Sequence, residues 1–314
     1  MLDTSARQWL TQRFGGGVRF DEPLSRHTTL GVGGPVDAMV APEDLSALQD
    51  LVGWACGRGI AYFVIGKGSN LVVPDAGVGA IAISLRRGFG RIRCLDPQQD
   101  PTKVCAGAGA GLASLCRFAL DRGLAGMTFA LGIPATVGGA VRMNAGAAGG
   151  CMADVVHAVR VMTPEGAIVP LSHDAIRWSY RNACLPHSPK GTWHTGSILL
   201  EGILRMGNGD PVALRKEAER ILEWRKKSHP PMPNAGCFFR NPTSGSPAGQ
   251  LIERAGLKGR RWGGAQVSPV HANFIVNTGG ATAADVLGLM ETVREEVAKA
   301  FGIELEPEVQ IVAV

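Results

Sequence analysis

The chain has few aromatic residues, no closely paired cysteines and no long apolar run, and each shortage removes a class of function. Aromatics make up 6% of the 314 residues, with two tyrosines, too few for a surface of stacked bases or sugars. The cysteines, at 56, 94, 105, 116, 151, 184 and 237, are odd in number and widely spaced, with no CxxC pair. That pattern argues against a disulfide framework or a zinc cluster, and no metal site is expected. No stretch of 18 residues is uncharged and apolar throughout, so no membrane insertion is expected. The opening MLDTSARQWLTQRF carries an early acid and lacks the apolar centre of a signal peptide, so the cytoplasm is the expected location. Net charge is +5, from 32 basic and 27 acidic residues. With no long basic run, nucleic acid is not an expected partner.

What the chain has in excess is glycine, 43 residues, roughly twice the ordinary share. The glycines have no period of three, which excludes a collagen-like chain, and 45% hydrophobic residues exclude disorder. Such a composition suits a globular protein that needs close backbone approach and left-handed turns. The length can bury a large core and suggests two or three domains.

Periodicity predicts a short helix and lead-in over 1–20 and an amphipathic helix over 43–59 with Leu45, Leu48, Leu51, Val52 and Ala55 inward. Strands are predicted at 61–65, 80–85, 91–95, 103–106, 155–163 and 197–206, with a helix at 111–121. Asp210-Pro211 opens a helix whose apolar set includes Leu214, Ala218, Ile221 and Leu222, ending before His229-Pro230-Pro231. A loop is expected at 241–249, strands at 264–268 and 272–277, and a helix over 282–301 with Val286, Leu289, Met290, Val293, Val297 and Phe301 as its stripe. The ending EPEVQIVAV reads as a strand. Segment 123–150, GLAGMTFALGIPATVGGAVRMNAGAAGG, carries too much glycine for a regular helix or central strand.

The dinucleotide fingerprint fits poorly. Gly107, Gly109 and Gly111 lie between a strand and a helix, but Ser114 stands where the last glycine of the motif is required, and no acidic ribose ligand follows. No GxxxxGK[ST] motif occurs. Two other segments are better anion cradles: Gly66-Lys67-Gly68-Ser69-Asn70 after a strand, and 132–139, GIPATVGG. Either alone could be a tight turn. Together they suggest a large phosphorylated cofactor.

With GKGSNLVV (66–73), GIPATVGGAVRMNAG (132–146), Tyr180-Arg181, NAGCFFRNP (234–242), the 248–277 segment from AGQLIERAGLKG to HANFIVN, and LEPEV (305–309), the chain resembles the UDP-N-acetylenolpyruvoylglucosamine reductases, also called UDP-N-acetylmuramate dehydrogenases. Six landmarks in order make the resemblance specific, and it covers nearly the whole chain. It is similar to the shorter type, without a long tyrosine-bearing insertion after Tyr180-Arg181.

The resemblance implies an α+β protein with an FAD-binding fold of the vanillyl-alcohol-oxidase (PCMH) type in two subdomains, about 20–86 and 87–203. A lead-in over 1–19 would precede it. A C-terminal α+β substrate-binding domain would cover 204–299, and 300–314 would return to the flavin body carrying Glu308. It implies that NADPH reduces bound FAD and that flavin N5 then passes hydride to the terminal carbon of a UDP-sugar enolpyruvyl ether, giving UDP-N-acetylmuramate for peptidoglycan. A monomer is expected. Cofactor contacts are implied at Gly66, Lys67, Gly68, Ser69, Asn70 and Leu71, at Gly132, Ile133, Pro134, Thr136, Gly138 and Gly139, and at Asn144, Ala145 and Gly146.

The same resemblance implies three catalytic residues. Cys237 matches the proton donor, where many members have serine; a thiol with an ordinary pKa of about 8.5 has a proton to give at neutral pH. On residue type alone it would read as a small core hydrophobe. Arg181 matches a carboxylate-clamping arginine, charged at every working pH. Glu308 matches a glutamate that polarises the substrate carboxyl or shares its proton, and Arg181 would temper the repulsion of two carboxylates. Tyr180, Arg240, Asn241, Lys258 and His271 are implied substrate contacts, though His271 on its own reads as a packing residue. His229 and Ala135 depart from the glutamine and glycine frequent in the family; a positive φ at Ala135 would cost about 1–2 kcal/mol, and an accommodating backbone is expected. Two other readings stay open: an FAD oxidase or dehydrogenase for another alcohol or hydroxy acid, and a flavin- or nucleotide-sugar-binding protein without turnover.

Overall fold

The computed structural model describes residues 1–185 and 196–312. They gather into two compact units: Met1–Asp21, Asp37–Lys67 and Gly79–Trp224 form the first, and Glu22–Val36, Gly68–Val78 and Arg225–Val314 the second.

The first unit is built around a five-stranded antiparallel sheet. Its order is Ile168–Ser172, Val156–Met162, Ile198–Arg205, Asp100–Gly107, Ile92–Asp96. Alternation explains the central strands: Val159 and Val161 are buried on one face while Arg160 between them reaches Glu201 at 2.9 Å. Helix Leu112–Asp121 buries Leu112, Leu115, Cys116 and Ala119, the i, i+3, i+4, i+7 spacing of an amphipathic helix. Helix Leu45–Gly57 starts where Asp44 accepts from the Ala47 N–H at 2.8 Å, an ordinary side-chain cap. Tyr62–Val64 runs parallel to Val78–Ile83.

In the second unit, the antiparallel strands Arg261–Trp262, Ala265–Val267 and Ile275–Asn277 form a small sheet. Helix Ala283–Phe301 packs Val286, Leu289, Met290, Val293 and Val297 into that unit's core. Its first turn is heavily capped. Thr282 and Asp285 form a capping box, and the Asp75 carboxylate accepts from the N–H groups of Ala283 and Ala284 at 2.8 and 2.9 Å. Gly302 closes the far end at φ +67, a left-handed cap that glycine adopts without penalty.

Several elements differ from the sequence reading. A six-residue helix, Val137–Arg142, forms inside the glycine-rich stretch. Its Gly138 serves contact rather than flexibility, since a β-carbon there would stand 2.9 Å from Ala108 Cβ and 3.1 Å from Ala108 O. Helix Ala248–Arg254 follows the expected loop; a seven-residue helix holding Gly249 offers too little periodicity to read. Leu222 is exposed while Leu214, Ala218 and Ile221 of Pro211–Ser228 are buried, because position 222 turns off the edge of that stripe. The terminal strand is short, Gln310–Ile311, parallel to Leu71–Val72; residues 313–314 of the expected strand lie outside the described residues.

Candidate active site

In the first unit Gly66, at the start of the first glycine segment, meets the second segment. A β-carbon on Gly66 would meet Thr136 Oγ1 at 2.6 Å, so that end of the first segment lies against the second. Thr136 caps Val137–Arg142 by accepting from the Gly139 N–H at 3.3 Å. Main-chain bonds join this loop to 108–112: Val137 N–H to Ala110 O at 2.8 Å, Gly138 N–H to Ala108 O at 2.9 Å, and Leu112 N–H to Ala135 O at 2.9 Å. Gly132 has φ +77, whereas Ala135 is absent from the left-handed non-glycine residues, which are Asp21, Asn144, Ala148 and Arg181. The family's glycine at position 135 is therefore not needed here for its φ. Ile133 packs on the core and Pro134 is exposed.

Gly107 and Gly109, rejected above as a dinucleotide fingerprint, have another task. β-Carbons there would strike Phe89 O at 2.2 Å and Leu85 O at 2.0 Å, so both permit main-chain contact with 85–89.

These segments fit a flavin dinucleotide. Segments 66–73 and 132–147 contain no acid and carry Lys67, and Gly66, Gly138 and Gly146 let their main chain pack directly on Thr136, Ala108 and Gly150, where a β-carbon would collide. A thin, uncharged-to-basic backbone is what a diphosphate requires.

Tyr180-Arg181 forms the two-residue tip of the hairpin Arg177–Ser179 and Asn182–Cys184, with Ser179 opposite Asn182. Arg181 has φ +55, a conformation that costs a bulky residue and is held only where the surroundings impose it. Its guanidinium lies 5.0 Å from the Tyr180 ring centroid, and a β-carbon on Gly146 would be 3.3 Å from Arg181 Nη1. Gly146 and Ala147 pair with Cys151 and Gly150, and the Ala145 N–H donates to Ala140 O at 2.8 Å. The structure thus brings Arg181 to the end of the second glycine segment, all within one unit.

In the second unit, Cys237 and Glu308 sit on adjacent antiparallel segments. The Glu308 N–H donates to Phe238 O at 2.8 Å, the Arg240 N–H donates to Glu306 O at 2.9 Å, and Phe239 bridges Pro307. Before the cysteine, the Gly236 N–H donates to Asn234 Oδ1 at 3.0 Å and Gly236 takes φ +81. After it, Phe238 and Phe239 are almost wholly buried, anchoring a loop whose Cys237 stays half-buried. Cys105 and Cys116 are different: burial pushes their thiols up to about 11 and about 12, the mark of inert core cysteines.

Asn70 Nδ2 donates to Glu308 O at 3.1 Å, and the Gln310 N–H donates to Asn70 O at 2.9 Å; the residue read as a cofactor contact also fixes the main chain of Glu308. Leu71 is buried in the parallel pair with Gln310. A β-carbon on Gly68 would strike His27 O at 2.2 Å, at φ +60, and Ser69 is half-buried.

The implied substrate contacts divide. Arg240 lies 3.9 Å from Glu306 and its buried Nε has no hydrogen-bond partner, leaving donor capacity for an anion. Lys258 pairs with Glu253 at 2.7 Å. Asn241 Oδ1 accepts from the Ala248 N–H at 3.1 Å, at the start of Ala248–Arg254. His271 Nδ1 faces the Asn273 N–H at 3.2 Å, and its ring packs edge-on to Phe274. The neighbour that organises the cysteine loop is Asn273, which sequence reading passed over. Its side chain accepts from the Phe239 N–H at 3.0 Å and donates to Phe239 O at 2.8 Å, while its carbonyl accepts from the Phe238 N–H. A buried asparagine in HANFIVN, which must satisfy every polar atom, was the available signal.

His229 predicts a pH effect. Burial, then the charge of Arg225 and the neighbouring His271, lowers its pKa from 6.5 to about 4. It lies against Ser228, Arg225, His271 and Phe274, and burial also lowers His271. A histidine kept neutral by folding binds its proton more readily when unfolded. Stability attached to it is therefore whole above pH 6.5 and is lost as pH falls toward 4. In urea titrations His229→Gln should show a shallower loss of midpoint than the parent over that window; identical slopes would remove His229 as a contributor.

The similarities of the chain to known proteins make it an FAD-dependent oxidoreductase. A family model described as an FAD binding domain matches residues 36–172, and one described as the C-terminal domain of UDP-N-acetylenolpyruvoylglucosamine reductase matches 227–312. Curated reductases of that name are similar along nearly their whole length. The one from Desulfosudis oleivorans is 49% identical over 313 residues, covering 99% of both chains; that from Bacillus subtilis is 37% identical over 306 residues, covering 97% of both. A crystal structure of the reductase from Thermus caldophilus is 36% identical with a TM-score of 0.79, covering 94% of this chain and 100% of that one. The chain belongs to the UDP-N-acetylenolpyruvoylglucosamine reductase family, with its PCMH-type flavin fold and C-terminal α+β domain.

Proposed function

We propose that the chain reduces UDP-N-acetyl-3-O-(1-carboxyvinyl)-glucosamine to UDP-N-acetylmuramate with NADPH as electron source, and that Arg181, Glu308 and Cys237 carry the protein's part of the chemistry. Bound FAD supplies the hydride that adds to the terminal enolpyruvyl carbon. That carbon is electrophilic because its double bond is conjugated with a carboxylate, so negative charge builds on the carboxylate oxygens as the bond is reduced. Arg181 neutralises this charge through its guanidinium. Glu308 shares a proton with the substrate carboxyl, lowering the charge it must carry. Cys237 Sγ gives its proton to the carbon beside the carboxylate, completing the addition of one hydride and one proton. The thiolate left behind recovers its proton from water.

The observation that supports this reading best is the antiparallel pairing of 237–240 with 306–308, which holds the proposed proton donor and carboxylate on neighbouring rigid segments. Lys67 and the main chain at Gly66, Gly132, Gly138 and Gly139 are assigned to the cofactor, and Tyr180, Arg240 and Lys258 to the UDP-sugar. We place the protein in the cytoplasm as a monomer; its seven free cysteines suit a reducing compartment.

The test is spectroscopic. Purified protein should be yellow and bleach anaerobically on adding NADPH, faster than with NADH at equal concentration. Bleaching by an alcohol or hydroxy acid without NADPH would favour the oxidase reading instead.

A further inference from the structure

Arg142, at the last turn of Val137–Arg142, is half-buried, and burial lowers its pKa. No carboxylate acts on it among the described residues. A desolvated guanidinium without an acid is costly, so its geometry is informative. Its Nη1 donates to Ala183 O at 2.5 Å. Two residues on, Asn144 donates through Nδ2 to Ser179 O at 3.0 Å while its Oδ1 accepts from the Ala153 N–H at 3.0 Å. Ser179 and Ala183 flank Tyr180-Arg181-Asn182. The two bonds therefore grip the hairpin on both sides of an arginine held at φ +55, a conformation that needs such constraint. The gripping residues lie at the end of, and just beyond, the helix that begins at Val137, so the same rigid segment joins the flavin cradle to the hairpin.

We propose that Arg142, assisted by Asn144, is a positioning residue that fixes the Tyr180-Arg181 hairpin to the glycine helix of the flavin cradle. The inference rests on the proposed role of Arg181. Its action is geometric: Arg142 sets the main chain that carries the guanidinium and does not itself touch substrate.

The experiment is a double-mutant cycle of Arg142→Met and Arg181→Met in the flavin-loaded protein. Reduction by NADPH and reoxidation by the enolpyruvyl UDP-sugar are measured separately, with hydrogen exchange over 177–184. Arg142→Met should slow reoxidation about 10- to 100-fold, leave reduction within about two-fold, and raise exchange in the hairpin. In the Arg181→Met background it should add less than about two-fold, because it works through that arginine. Arg142→Lys, which can still donate to Ala183 O, should recover most of the rate and protection. If the methionine variant loses flavin, Arg142→Gln, whose shorter side chain gives up the bond to Ala183 O, carries the same cycle. Additive losses in the double variant, or unchanged exchange over 177–184, would overturn the inference. An Arg181→Met protein that reoxidises at the parent rate would instead sink the role of Arg181, and exchange at the hairpin would then still report whether Arg142 holds it.

Discussion

Cys237→Ala is expected to slow reoxidation of the reduced flavin by enolpyruvyl UDP-sugar by about 10²–10⁴-fold, the range for removing a general acid. Reduction by NADPH should stay within about two-fold, because that step needs no proton at the substrate carbon. The folded protein should tolerate the change: Cys237 is half-buried, and Phe238, Phe239 and Asn273 anchor the loop. Cys237→Ser should keep substantial activity, since a hydroxyl also carries a transferable proton. Stopped-flow measurement of the two half-reactions checks this. Equal slowing of both would point to a damaged flavin site and away from proton donation.

The second large effect is expected at Arg181. Arg181→Met should lower the reoxidation rate by about 10²–10³-fold, as when a donor that meets developing negative charge is removed. Arg181→Lys should recover part of it, because an ammonium keeps the charge and loses the bidentate fork. Neither substitution removes the positive φ at this position, so neither relieves nor adds backbone strain of the kind glycine would. Flavin content should be unchanged. Single-turnover mixing with the enolpyruvyl UDP-sugar reads the rate, and a loss confined to NADPH reduction would contradict the assignment.

Sequence and structure agree most closely where a motif also carried local geometry. GCFFRNP named Cys237, and its two phenylalanines are the anchors of the loop. LEPEV named Glu308, and the register that sets it beside Phe238 follows from main-chain pairing that no residue pattern reveals. Amphipathic helices such as Ala283–Phe301 were legible because burial repeats along one face. The helix at Val137–Arg142 was not, because glycine propensity argued against it while packing on Ala108 decided for it. Arg142 and Asn273 escaped notice for a related reason: each acts through a carbonyl or amide distant in sequence. The glycine excess divides the same way. Gly66 and Gly138 let the two glycine segments pack on Thr136 and Ala108, whereas Gly107 and Gly109 let 85–89 approach the sheet.

The central claim is that this chain moves electrons through flavin onto an enolpyruvyl double bond, and one anaerobic single turnover tests it. Protein whose flavin has been reduced to completion is mixed, without oxygen or free cosubstrate, with one equivalent of the UDP-N-acetylglucosamine enolpyruvyl ether. The expected result is full return of the oxidised flavin spectrum and one equivalent of a UDP-sugar heavier by two hydrogens, the mass of UDP-N-acetylmuramate. Flavin that stays reduced until oxygen is admitted, with the sugar recovered unchanged, would contradict the account.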